Sequence, residues 1–105
     1  MPYIKQTKRE VLDPIIDPVL NALRELESDD PSNNTEGNIN YIFTRILHRV
    51  YPGKSYREVN DAVGILECCK QEYYHRIAVP LERQKAFENG DVLPTMSETG
   101  NFPTA

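Results

Sequence analysis

A chain of 105 residues reads as one small domain, and its 12 basic against 16 acidic side chains leave a formal charge of −4, which excludes the broad basic footprint of a duplex-binding protein. At 39% hydrophobic residues the chain is too apolar and too patterned for disorder. No stretch nears the roughly 20 apolar residues of a membrane span, and the opening Met1-Pro2-Tyr3-Ile4-Lys5-Gln6 lacks a secretory core, so an intracellular setting away from membranes is expected.

The first element begins around Thr7 and is punctuated by Asp13-Pro14 and Asp17-Pro18, where the acid can cap and the proline can occupy a first helical turn. A helix is predicted from about Pro14 to Glu27, with Ile15, Ile16, Val19, Leu20, Leu23 and Leu26 forming one buried stripe. Ser28 to Gly37 has no apolar residue and reads as a solvated loop. A second helix is predicted from about Asn38, its cap, to Tyr51, stopped by Pro52-Gly53. Its apolar residues Ile39, Ile42, Phe43, Ile46, Leu47 and Val50 fall in one arc of roughly 140°.

Ser55 and Glu58 form a capping box that opens the longest helix. Val59, Val63, Leu66, Tyr73 and Ile77 mark its core face, Pro80 is expected to interrupt or kink it, and a last turn or two, Leu81 to Glu88, closes at Asn89-Gly90. The resulting expectation is an all-α fold, a small bundle of three main antiparallel helices in a single domain over residues 1–90, followed by a flexible or docked tail at 91–105. A core this thin gains from pairing with a second copy, so a homo-oligomer built through the long helix is expected.

The charge is uneven. Residues 13–36 are acidic apart from Arg24, whereas residues 45–57 hold Arg45, Arg49, Lys54 and Arg57 with no acid. Such a local excess can hold a small anion. Lys70 lies near the angular centre of the long helix's apolar stripe, where a buried ammonium needs a partner. Glu67 is one turn earlier, and Asn60, Glu67, Gln71 and Tyr74 share one flank, a polar seam that reads either as a structural ion pair or as a ligand pocket. On the second helix, Tyr41, Thr44, Arg45 and His48 share the polar side, Arg45 offering a planar fork for phosphate and Tyr41 a stacking surface. The bland alternative is a solvated face with cations favourably placed near a helix C-terminus.

Catalytic signals are weak. Glu72 and His75 have the Glu-x-x-His spacing of di-iron bundles, but one copy binds nothing by itself. The glycines are scattered, so there is no phosphate loop. Cys68 and Cys69 are adjacent, which suits neither a disulfide framework nor a CxxC site. No enzyme activity, cofactor or metal is expected.

The run from Gly37-Asn38-Ile39-Asn40-Tyr41 through Ile42-Phe43-Thr44-Arg45-Ile46, with Tyr56, Asn60, Gly64-Ile65-Leu66-Glu67-Cys68 and Lys70-Gln71-Glu72-Tyr73-Tyr74-His75-Arg76, resembles an uncharacterised family of small tailed-phage proteins. Leu12-Asp13-Pro14-Ile15-Ile16-Asp17 near the start and Asn89-Gly90-Asp91-Val92 near the end fit the same pattern, which covers nearly the whole chain. That family has Tyr-Arg-Arg where this chain has Tyr74-His75-Arg76, and a shorter loop at 28–36. The resemblance implies a phage origin and the host cytoplasm. Small acidic helical phage proteins with polar seams are similar in general character to counter-defence proteins that sequester nucleotide-derived signals. The expected function is therefore sequestration of a small phosphate-bearing ligand by Tyr41, Thr44, Arg45, His48, Asn60, Glu67, Lys70, Tyr74 and Arg76. The alternative is an interaction or assembly factor that binds a host or phage protein.

Overall fold

A computed structural model describes residues 2–30 and 32–93, leaving aside the side chain of Asp29. Helix is the regular structure throughout the described residues: α1 (Gln6–Leu12), a 3₁₀ turn (Asp13–Ile15), α2 (Ile16–Asp29), α3 (Thr35–Val50), α4 (Tyr56–Tyr73), a π turn (Tyr74–Ala78) and α5 (Val79–Asn89). The all-α class read from periodicity is the class observed, with α2, α3 and α4 as its three main helices. Two compact units meet in the sequence between Cys68 and Cys69. Most of the expected tail, from residue 94 onward, lies outside the described residues.

The prolines set the early boundaries. Pro14 has no N–H to continue an α-helix, so the chain tightens into the 3₁₀ turn, where the Ile16 N–H donates to the Asp13 carbonyl. The element read from around Thr7 is α1, so helix lies on both sides of Pro14, where the longer helix was predicted to begin. Pro18 sits in the first turn of α2 without breaking it. Beyond α2, the Asp30 carboxylate accepts hydrogen bonds from the Ser32 hydroxyl at 2.6 Å and the Ser32 N–H at 2.9 Å. Those two bonds hold its carboxyl below the usual carboxylate range. What they contribute to the folded loop is present at neutral pH and is lost as acid carries the group through its lowered folded-state value.

The cap of α3 is Asn34, four residues before the expected Asn38. Its side-chain oxygen accepts the Gly37 N–H at 3.0 Å, so the helix starts at Thr35. A Cβ at position 37 would stand 2.8 Å from the Asn34 amide nitrogen, so a larger residue there would make the capping side chain shift. Asn38, inside the helix, donates to the Asn33 side-chain oxygen at 2.6 Å. Replacing Asn34 with alanine is expected to destabilise the chain by about 1 kcal/mol in urea unfolding, whereas Asn38→Ala leaves the first turn capped.

At the start of α4 the Ser55 hydroxyl accepts the Glu58 N–H at 3.2 Å, as expected, while the Glu58 carboxylate accepts the Lys54 N–H at 3.1 Å, one residue earlier than in a standard capping box. At the other end the α-helix is interrupted just before Pro80, by the π turn, and helix resumes as α5. The Val79 N–H reaches back five residues to the Tyr74 carbonyl, and the wider turn relieves the crowding that the proline ring imposes on the preceding turn. α5 then ends at Asn89, with Gly90 at φ 86°, a value that favours glycine.

No described residue is buried. The stripe expected to be buried on α2 is instead half exposed, with Ile15 at 61% and Ile16 at 51%. Its physical reason is simple: α2 meets α3 along one side, and the remainder of the stripe is left open among the described residues of the first unit.

Candidate functional site

The first unit holds two grooves on either side of α3. One, of about 350 Å³, lies between α2 and α3 and is lined entirely by apolar side chains, with Ile16, Val19 and Leu23 facing Ile39, Ile42 and Ile46 among them. The other, of about 390 Å³, is bounded by Ile39, Phe43 and Leu47 of α3 and Leu66 of α4, with Glu36, Asn40 and Thr44 on its polar edge. Ile39 and Phe43 line both, so they form a shared ridge. Spacing explains it: residues four apart stack on one face, and this pair sits at the centre of the apolar arc of α3.

The residues expected to bind a ligand are divided between the units. Tyr41, Thr44, Arg45, His48, Asn60 and Glu67 fall in the first, and Lys70, Tyr74 and Arg76 in the second; all nine are exposed. Of these, Thr44 lines a groove, its hydroxyl donating to the Asn40 side-chain oxygen at 3.2 Å. Arg45 stands 6.0 Å from the centre of the Tyr41 ring, at the edge of cation–π range, and neither residue lines either groove. Neither groove has a cationic side chain in its lining.

The expectation of a buried ammonium at Lys70 is corrected. Lys70 is exposed because its stripe is exposed, from Val63 at 60% to Tyr73 at 67%. In the second unit, Tyr74 and His75 meet edge to face with ring centres 5.7 Å apart, and the His75 Nδ1–H donates to the Gln71 carbonyl at 2.8 Å. This fixes the imidazole within its own helix. Among the described residues no three His, Cys, Asp or Glu side chains gather as a metal site, so the Glu72–His75 spacing stands by itself. Among them also, no helix is long and apolar enough to cross a membrane.

What sequence reasoning missed is the ridge. Ile39 and Phe43 read only as members of one apolar arc, and the signal that could have found them is the polar border formed by Glu36, Asn40 and Thr44 beside an arc too wide for one neighbouring helix. No curated protein and no solved structure matches the chain. A family pattern described as a domain of unknown function, DUF6899, matches residues 1–92, and the chain belongs to that family.

Proposed function

We propose that this protein is a non-enzymatic interaction module that offers the α3 ridge and its flanking grooves to another polypeptide, as an assembly or binding factor in an infected host cell. The observation that carries this reading is the pair of open grooves sharing Ile39 and Phe43, with Phe43 52% exposed. An apolar surface of this kind, edged by polar groups and set on helices, has the anatomy of a protein-binding face. Sequestration of a nucleotide-derived ligand is the second reading, favoured by Arg45 lying within 6.0 Å of the Tyr41 ring centre. It asks for a cation beside an enclosed cavity, which a neighbouring chain would have to complete.

Native mass spectrometry of the tagged chain, recovered gently from phage-infected cells, separates these readings. The expected result is the chain in complex with another polypeptide, of its own kind or different. A bare chain, at 12.1 kDa plus the tag, would sink the proposal, and a bare chain carrying a phosphate-bearing adduct would move the assignment to sequestration.

A further inference from the structure

The last turn of α5 ends on a dipeptide with a chemistry of its own. Asn89 closes the helix and Gly90 follows it at φ 86°, a left-handed value that ends the regular hydrogen bonding. The Gly90 N–H meets no acceptor among the described residues, and a Cβ at position 90 would find nothing within 4 Å. Asn89 and Gly90 are both exposed. A main-chain nitrogen with neither a hydrogen bond nor a side chain beside it therefore stands next to a carboxamide open to water. The flanking acids are engaged elsewhere: Glu88 accepts from Gln84 at 3.1 Å and from Lys85 at 3.5 Å, and Asp91 accepts the Leu93 N–H at 3.2 Å.

Asparagine is thermolabile because its side-chain carbonyl lies one five-membered ring away from the nitrogen of the next residue. What protects it in most positions is structure, as the other described asparagines show. Asn21, Asn38, Asn40 and Asn60 lie within helices, where the following amide is held in the hydrogen-bond ladder and the ring cannot close without breaking it. In the α2–α3 loop, Asn33 accepts from Asn38 at 2.6 Å and donates to Thr35 at 3.4 Å, and Asn34 accepts the Gly37 N–H at 3.0 Å. Their successors, Asn34 and Thr35, also carry side chains that crowd the attacking nitrogen. Asn89 has none of these restraints. It ends its helix, and Asn89-Gly90 is the one asparagine–glycine pair in the sequence.

We propose that Asn89-Gly90 is a self-modification site, at which the chain slowly converts a neutral amide into a carboxylate and loosens the end of α5. The Gly90 nitrogen, its proton taken by hydroxide, attacks Asn89 Cγ; a C–N bond forms, and the side-chain nitrogen takes a proton from water and leaves as ammonia. One water then opens the cyclic imide. Cleavage between Cγ and the Gly90 nitrogen gives aspartate. Cleavage between the Asn89 main-chain carbonyl carbon and that nitrogen gives isoaspartate, the expected major product because this carbonyl is the more electrophilic. The net change is one water consumed and one ammonia released, with no oxidant, metal or cofactor. The new carboxylate takes the formal charge from −4 to −5 and stands between Glu88 and Asp91, at the negative end of the α5 macrodipole. The isoaspartyl product also lengthens the main chain by one methylene. Both changes favour unwinding of the last turn, and neither involves the α3 ridge.

Peptide mapping by mass spectrometry, after incubation of the full chain, tests the site. The expected result is a gain of about one mass unit confined to Asn89. Its rate should climb close to tenfold per pH unit between about pH 7 and 9, as hydroxide removes the amide proton. Hydroxylamine, which traps the imide, should cut the chain into residues 1–89 and 90–105. Asn89→Gln should abolish all three signs over the same period, because a six-membered ring forms far more slowly. A folded chain that converts Asn89 more than about tenfold slower than a free peptide of residues 86–93, or that gains its mass first at Asn33 or Asn34, would overturn the site. Asn89→Asp, which installs the aspartyl product directly, should speed amide exchange across residues 86–89 several-fold; unchanged exchange there would overturn the loosening.

Discussion

Replacing Ile39 and Phe43 with aspartate is expected to leave the isolated chain largely helical and to strip it of assembly. Both side chains line both grooves; Phe43, 52% exposed, keeps much surface to bury against a partner, whereas Ile39 is already largely covered and also loses packing within the chain. Covering the remaining surface of one such side chain contributes about 1 kcal/mol. Aspartate forfeits that, and placing its carboxylate in the seam adds several kcal/mol of desolvation. Across two positions the dissociation constant of any complex using the ridge should rise by about three orders of magnitude or more. Sedimentation velocity and far-UV circular dichroism on the same samples check this, with Phe43→Leu as the variant expected to stay within about tenfold of wild type. A double aspartate variant that assembles as the wild type does would remove α3 from the interface.

Pro80→Ala is expected to stabilise the helical run from residue 56 to 89. A proline inside such a run costs about 3 kcal/mol against alanine, and the π turn before it already relieves part of that. The proline is exposed, so removing its ring sacrifices little packing. A gain of about 1–2 kcal/mol should move a cooperative thermal melt upward by roughly 5–10 °C. The accompanying structural sign is the return of the Val79 amide to a four-residue hydrogen bond, visible in amide exchange and chemical shifts. A lowered midpoint would mean that the ring makes a contact of its own.

How much of this was legible depended on whether the deciding force was local. Ser55 with Glu58, and Asn89 with Gly90, were readable because capping and a left-handed φ are settled within one turn. The cap of α3 was misplaced because Asn34 and Asn38 have the same side chain, and the choice fell to where the helix could extend, which spacing does not encode. Lys70 illustrates a different limit. A helical wheel states which residues share a face, but burial requires something to cover that face, and the exposed Val63 and Tyr73 show that the stripe is uncovered in the single chain. The π turn was hidden for a third reason: Tyr73 and Ile77 keep a four-residue spacing, so the sequence looks regular where the backbone is wide.

That wide turn also sets where the chain can change length. It accommodates one residue more than regular coiling requires, so deleting one of residues 74–78 would leave every later side chain in its existing phase. Deleting one residue elsewhere between 56 and 89 would rotate all that follows by about 100°. Length variants of this chain should therefore be tolerated at that one place, and best of all when Pro80 is replaced along with the missing residue.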